Sequence, residues 1–265
     1  MKKKLLILIC ILITFAAFIT GIFKHSKNFI DLENVSKYVR SNYKNEATVR
    51  IAIIDSGLNS GLDIDNIINF SSDDDTIDYI NHGDIITYII SNNELGIAQN
   101  SEVHMLKVVN KYGIAATENV YKALEWCLNN SIDIINMSIS FSVYSENVEC
   151  MVNSLLEKGT VIVTSISNDS KKTDYPSMYN GVICVGKTTT PKLYSEDNSI
   201  IFEDIGIVQI GKNKKKYEGN SFLAPVVTGI IASIYKNTCE RRYTNAELIA
   251  LVKDVLNRVT PYTVN

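Results

Sequence analysis

The chain has 265 residues, 26 basic and 29 acidic side chains, and a formal net charge of −3 at pH 7. This balance shows no excess of basic residues of the kind that binds a nucleic acid, so we expect no nucleic acid partner. No internal repeats appear, which excludes a repeat architecture. Without its apolar N-terminal stretch the chain retains about 240 residues, enough for one domain with one core, and we expect a monomer.

The first predicted element is a membrane segment. Residues 5–23 carry no charge and are flanked by lysines on both sides, and this length can span a bilayer core. A cleaved signal would have a shorter apolar region and a clear small-residue site, so we prefer a signal anchor; secretion after cleavage is the alternative. More lysines precede this stretch than follow it closely, and this charge bias favours a domain outside the cytoplasm. The predicted units are an anchor or signal (1–24), a linker or N-terminal extension (25–48), a catalytic domain (49–258) and a tail (259–265).

Apolar runs alternate with helical patterns through the rest of the chain. Strands are predicted near 49–54, 102–109, 132–137, 160–166 and 181–186. Helices are predicted near 83–91, 117–130, 146–158, 221–236 and 245–257. This alternation predicts an α/β fold with a mainly parallel β-sheet and helices on both faces. Residues 212–216 are predicted to form the tip of a hairpin.

Three polar residues stand at the ends of these elements. Asp55 ends an apolar strand, where it either serves a site at the sheet edge or simply begins a turn. His82 begins a helix, whereas His104 lies in an apolar strand and His25 follows the membrane segment. Ser221 precedes an apolar helix, where it is either an N-cap or a nucleophile in the field of the helix N-terminus.

The order Asp, His, Ser and the flanking residues resemble the subtilisin-like serine proteases, the subtilases of peptidase family S8, over about residues 46–257. The matching motifs are residues 51–57, His82-Gly83 and residues 219–225. The resemblance implies a catalytic triad in which Ser221 is the nucleophile, His82 the base and Asp55 the group that orients the histidine.

Two further segments resemble parts of the same family. Residues 134–138 look like its substrate-binding strand, and the strand at 161–163 leads to Asn168, at the place of the oxyanion-hole asparagine. Asp174 stands before Tyr-Pro, where the family often has glycine at the floor of its specificity pocket. A carboxylate there would favour Arg or Lys before the scissile bond; the alternative is a surface aspartate paired with a neighbouring lysine. The implied substrate-binding residues are Ser138, Ile139, Ser140, Ser165, Ile166, Ser167 and Asp174.

The resemblance implies a membrane-tethered endopeptidase whose partner is a peptide or protein substrate, and some relatives remove leaders from lantibiotic precursors. The alternative is an inactive protein that binds peptides without cleaving them, because several residues near the motifs depart from the family pattern. Those residues are Asp84, Ser167, Asn220, Phe222, Leu223 and Val226.

No cofactor is expected to be required, and no metal ligands are predicted. Structural calcium is an alternative that the sequence does not indicate. Residues 71–75 are predicted to form a solvated acidic loop, with calcium binding as its minority interpretation. The widely spaced cysteines fit no metal-binding pattern. We expect buried free thiols, and a disulfide remains open.

Overall fold

A computed structural model describes residues 28–43, 48–59, 61–62, 64–168, 174–187, 198–202, 205–235, 243–261 and 264. The predicted anchor, residues 5–23, lies outside the described residues, as do His25, Lys171 and Lys172. Within the described ranges, no helix has the length and apolar character needed to cross a membrane.

Ten strands and six helices make up the described part of the chain. The strands are β1 (Asn28–Asp31), β2 (Arg50–Asp55), β3 (Asn66–Asn69), β4 (Glu102–Lys107), β5 (Ile134–Met137), β6 (Val161–Ser165), β7 (Ile183–Lys187), β8 (Ser199–Phe202), β9 (Ile205–Ile210) and β10 (Lys215–Glu218). The helices are α1 (Leu32–Asn42), α2 (His82–Ser91), α3 (Thr117–Asn129), α4 (Glu146–Glu157), α5 (Asn220–Ile234) and α6 (Asn245–Val259).

Seven strands form one sheet in the order β3-β4-β2-β5-β6-β7-β8, and every pair is parallel. Helices α1, α2, α5 and α6 pack on one face, and α3 and α4 pack on the other. Strands covered on both sides bury successive residues, which explains why β2 and β6 are apolar runs rather than alternating patterns. The predicted α/β class and the parallel sheet are confirmed.

A smaller sheet has the order β1-β9-β10. Strand β1 pairs parallel with β9, and α1 buries Leu32, Val35 and Val39 against the main core. Part of the segment predicted to be a linker or N-terminal extension, residues 25–48, is therefore folded onto the domain. Strands β9 and β10 form an antiparallel hairpin, as predicted, although β10 already begins at Lys215.

Candidate active site

The predicted catalytic residues gather at the carboxyl edge of the main sheet. Asp55 is the last residue of β2, His82 is the first of α2, and Ser221 is the second of α5. Asn168 follows β6 by three residues. The carboxyl ends of parallel strands lie at the same edge of the sheet, so residues far apart in the sequence come close together there.

Asp55 and His82 form the central hydrogen bond of the site. His82 Nδ1 lies 2.7 Å from Asp55 Oδ1, and the Asp55 side chain is fully buried. The same carboxylate oxygen accepts a hydrogen bond from Ser56 N at 2.8 Å. Because Nδ1 is used in this way, the other ring nitrogen of His82 is left for chemistry.

The surroundings of His82 change its pKa in two opposing ways. Burial of the ring opposes protonation, but the charge and hydrogen bond of Asp55 and the charge of Asp78 outweigh it. The pKa of His82 is therefore raised above its ordinary value. This arrangement suits a group that must carry a positive charge transiently.

A second carboxylate, Asp78, ties β2 to the beginning of α2. Ser56 Oγ donates to Asp78 Oδ1 at 2.8 Å, Gly83 N donates to Ser56 Oγ at 2.9 Å, and Asp84 N donates to Asp78 Oδ2 at 2.9 Å. Gly83 is needed at this junction because a Cβ there would lie 2.3 Å from the carbonyl oxygen of Gly57. These contacts hold His82 against the end of β2.

Lys107 anchors the loop that carries Asp78. Its side chain is fully buried, and its Nζ donates to Ile77 O at 2.5 Å and lies 3.0 Å from Asp73 Oδ2. A buried ammonium needs such partners. The acidic segment expected to be a solvated loop is therefore folded around a buried cation at Asp73. Asp78 and Lys107 were not predicted as part of the site, because an aspartate in an Asp-rich loop and a lysine ending a strand carry no distinctive signal.

Ser221 lies in the first turn of α5. The N-cap is Gly219, with φ of 138°, so the interpretation of Ser221 as the cap itself is wrong. A Cβ on Gly219 would lie 3.7 Å from Ser221 Oγ and 3.5 Å from Asn168 Nδ2, which places both polar groups around this glycine. Phe222, the next residue, lies beside His82, with its ring centroid 5.4 Å from that of His82. Within the described part of the chain, no hydrogen bond joins Ser221 to His82.

Asn220 joins the helix that carries Ser221 to the loop that carries Asn168. Its backbone N–H donates to Asn168 Oδ1 at 3.0 Å, and its buried side-chain Nδ2 donates to Ile166 O at 3.0 Å. Since the carbonyl side of the Asn168 amide is occupied, its NH₂ group is the part left for other contacts. This departure from the family pattern therefore has a clear structural function.

Asp174 lies beneath the segment that follows β6. It is only 2% exposed, and its Oδ2 accepts hydrogen bonds from Ser167 N and, at 2.9 Å, from Ser177 Oγ. Burial raises the pKa of this carboxyl, while hydrogen bonds from Ser167, Ser177 and Ser140 oppose the rise. The carboxyl of Asp174 is thus an internal group between two predicted substrate-binding segments. The alternative interpretation of Asp174 as a surface residue is therefore wrong.

The other predicted substrate-binding residues differ in exposure. Ser140 is exposed, and Ile139 and Ser167 are half-buried, whereas Ser138 and Ser165 are buried. Ile166 packs in the core, its N–H donates to Val185 O, and its carbonyl accepts from Asn220. The structure does not offer Ile166 to a substrate, since both its side chain and its backbone groups are used internally.

The site contains no indication of a bound metal among the described residues, where no cluster of three or more His, Cys, Asp or Glu side chains could hold one. Cys127, Cys150 and Cys184 are free thiols; Cys127 and Cys184 are buried as expected, whereas Cys150 is exposed, contrary to that expectation. Burial raises the pKa of Cys184 to about 12, which leaves it uncharged and unreactive at neutral pH. Cys10 and Cys239 lie outside the described residues.

His104 lies away from this edge of the sheet. It is buried in β4, with its Nε2 3.0 Å from Glu102 Oε1 and its ring 5.3 Å from the Trp126 ring. These contacts agree with the interpretation of His104 as a core residue.

Comparison with known proteins agrees with this architecture. A model described as "Subtilase family" matches residues 46–261. The thermostable alkaline protease of Halalkalibacterium halodurans is 26% identical over 202 residues, covering 70% of this chain and 56% of that protease. The chain thus spans about half the length of that curated relative, and 54% of another, the alkaline elastase YaB of a Bacillus species.

Two solved structures are similar in fold. The nisin leader peptidase NisP from Lactococcus lactis has a TM-score of 0.62 at 17% identity, covering 91% of this chain and 99% of that structure. The prenylagaramide maturation protease PagA has a TM-score of 0.60 at 18% identity, covering 75% of this chain and 78% of that structure. At these identities the likeness shows the fold.

Proposed function

Because the chain belongs to the subtilase family, we propose that it is a serine endopeptidase that hydrolyses peptide bonds with Asp55, His82 and Ser221. The observation that carries the proposal is the buried Asp55 carboxylate 2.7 Å from His82, beside the helix that presents Ser221. A hydroxyl in the first turn of a helix lies close to unpaired backbone N–H groups, which stabilise negative charge.

In the proposed mechanism, Ser221 Oγ bonds to the carbonyl carbon of the scissile peptide while His82 accepts the hydroxyl proton. The negative oxygen that forms is stabilised by the Asn168 side-chain NH₂ and the backbone N–H of Ser221. His82 then donates its proton to the leaving nitrogen as the C–N bond breaks. Water hydrolyses the resulting ester by the same steps, and Asp55 holds the histidine tautomer throughout.

The proposed substrate has Arg or Lys before the scissile bond. The support is Asp174, a buried carboxyl that contacts the backbone of Ser167 and lies beside Ser140. A basic side chain reaching this group would form a charge-assisted hydrogen bond in a desolvated site. The remaining contacts to substrate come from Ser138, Ile139, Ser140, Ser165 and Ser167.

The proposed location is the cell membrane, with residues 5–23 as a single span and the domain outside the cytoplasm. The uncharged stretch and its flanking lysines support this orientation. A protease held there would meet secreted peptides. Similarity in fold to a leader peptidase and a maturation protease supports the removal of a leader from a precursor peptide.

Labelling of Ser221 tests the proposed activity. A fluorophosphonate probe should label the full-length protein in membranes, because an activated serine forms a covalent adduct with the phosphorus atom. Ser221→Ala should abolish labelling, whereas Ser154→Ala, a serine on the outer helix α4, should leave it unchanged. A folded wild type that resists the probe would instead favour the inactive, peptide-binding alternative.

Cleavage profiling tests the basic specificity. Asp174→Asn or Asp174→Gly should lower the preference for Arg over Leu before the scissile bond by roughly 10- to 100-fold, since a hydrogen bond to a charged group is lost. In the wild type, that preference should fall as the pH decreases through the raised pKa of Asp174, because the carboxyl becomes neutral. Comparing two substrates at each pH cancels the titration of His82. Asp74→Asn, an exposed aspartate, is the control, and an unchanged profile in both Asp174 variants would refute the assignment.

A further inference from the structure

The β9–β10 hairpin, residues 205–218, is a lysine hairpin with a strong local positive charge. Its residues 211–218 contain four lysines and one glutamate, although the whole chain has a net charge of −3 at pH 7. All four lysines are exposed, and within the described part of the chain no ion pair joins any of them to a carboxylate. The four residues are Lys212, Lys214, Lys215 and Lys216.

The lysine hairpin is paired with the first strand of the described chain. Strand β1 runs parallel to β9, with Ile30 beside Val208 in register. Lys216 Nζ reaches across β9 and lies 4.9 Å from the centre of the Phe29 ring, a distance typical of a cation–π contact. Phe29 is the second residue of β1. Positive charge from β10 therefore lies directly over the beginning of β1.

Strand β1 begins close to the proposed membrane span. Four residues, 24–27, separate the uncharged stretch 5–23 from Asn28, and even a fully extended chain covers at most about 18 Å over this distance. Asn28 lies beside Ile205, the first residue of β9. The hairpin turn begins after Ile210, about 20 Å from Asn28 at the rise of a strand. The tether thus confines the lysine hairpin to the neighbourhood of the bilayer surface.

A bilayer that contains anionic lipids attracts such a cluster of lysines. Each ammonium group within a Debye length of the negative surface, about 8 Å in physiological salt, adds a favourable interaction. The small sheet also carries two acidic side chains, Asp31 and Glu218, so the four lysines remain in excess. Because the chain as a whole is acidic, the lysine hairpin is drawn toward the bilayer while the rest of the domain is repelled. The tether raises the local concentration, so a weak attraction is sufficient.

We propose that the lysine hairpin docks on the anionic lipid headgroups of the membrane in which the protein is anchored. This inference rests on the proposed membrane location. Strand β10 ends at Glu218 and leads through Gly219 into α5, whose second residue is Ser221. Docking of the hairpin therefore fixes the position of the proposed nucleophile relative to the bilayer surface.

The test measures how fast individual lysines react in the full-length protein. The protein is reconstituted in phosphatidylcholine nanodiscs with or without phosphatidylglycerol, treated with a water-soluble acetylating reagent, and examined by mass spectrometry. Acetylation of the four hairpin lysines should be slowed by about fivefold or more in the anionic discs, because an ammonium group bound to a headgroup is shielded. The rate should recover in about 1 M sodium chloride, where the Debye length is about 3 Å. Lys122 and Lys158, exposed on the side of the main sheet covered by α3 and α4, should react equally in both discs.

A charge variant tests the same contact. Lys212→Gln combined with Lys214→Asn removes two positive charges from the hairpin turn, and asparagine tolerates the φ of 51° at this second position. Protection of the two lysines that remain in β10 should then fall to twofold or less. The matched control, Lys111→Gln combined with Lys122→Gln, removes the same charge from other exposed positions and should keep the wild-type protection.

The possible outcomes separate this inference from the proposed function. Equal acetylation rates in the two kinds of disc would overturn the inference, and so would equal protection in both, since the contact would not depend on lipid charge. Protection by added polyglutamate, with none from anionic lipid, would assign the lysines to an acidic polypeptide instead. A protein that alkaline extraction releases from membranes has no span, and the proposed location fails together with this inference. A protein that stays embedded and reacts with the fluorophosphonate, but shows equal lysine rates, refutes this inference alone.

Discussion

Asp55→Asn is expected to lower kcat/KM by about 10⁴-fold, the loss seen when the carboxylate of such a triad becomes an amide. Asn preserves the shape of the side chain. However, its NH₂ group can turn toward His82 Nδ1, 2.7 Å away in the wild type, and stabilise the wrong tautomer. It also removes the charge that raises the pKa of His82. The measurement is steady-state hydrolysis of the peptide that the wild type cleaves best.

The matched control is Asp254→Asn, an exposed carboxylate whose ion pair with Arg258 lies on the surface of α6. This variant should keep activity within about twofold, because surface ion pairs contribute little to stability. If Asp55→Asn retained a tenth or more of the wild-type kcat/KM while folded, the contact between Asp55 and His82 would be structural rather than catalytic.

Asn168→Asp is expected to reduce kcat by about 10²- to 10³-fold, a magnitude carried over from subtilisin, a member of the same family. The change is nearly isosteric. It keeps an oxygen that can accept from Asn220 N, at 3.0 Å in the wild type, but it removes the NH₂ donor and adds a negative charge near the developing oxyanion. KM should change little, because the lost interaction strengthens only in the transition state.

Asn153→Asp adds the same charge on the exposed surface of α4 and should leave kcat unchanged. Fluorophosphonate labelling provides a second readout, since slower labelling of Asn168→Asp is expected while Ser221 itself is intact. A kcat within fivefold of the wild type would remove Asn168 from the oxyanion hole and leave its carbonyl contact with Asn220 as its function.

The elements predicted from the sequence are those with strong local signals. Strands β2, β4, β5, β6 and β7 and helices α2 to α6 appear within a few residues of their predicted positions. A strand that is buried on both faces has successive apolar residues, and a helix that is buried on one face has apolar residues at helical spacing, so both patterns are visible in the sequence. Strands β1, β3 and β8, of four residues each, were not predicted. Such short segments become strands only through pairing with distant partners.

The candidate site likewise contains residues that were predicted from the sequence and contacts that were not. The order and flanking residues of Asp55, His82 and Ser221 were sufficient to nominate the three residues, because they resemble the motifs of the subtilases. The supporting contacts were not accessible from the sequence. Asp78 holds Ser56 and the start of α2, and Lys107 lies in register with Asp55 on the neighbouring strand.

The sequence by itself determined the α/β class and the parallel sheet, since these depend on local hydrophobic periodicity, and the resemblance of its motifs to those of the subtilases nominated the candidate catalytic residues. Only the tertiary structure decided that Asp174 is an internal carboxyl, that Ile166 is unavailable to a substrate, and that Asn220 fastens the Asn168 loop. The burial and the hydrogen bonds of these residues depend on which distant segments contact each other. The order of the strands and the packing of the helices that connect them determine those contacts.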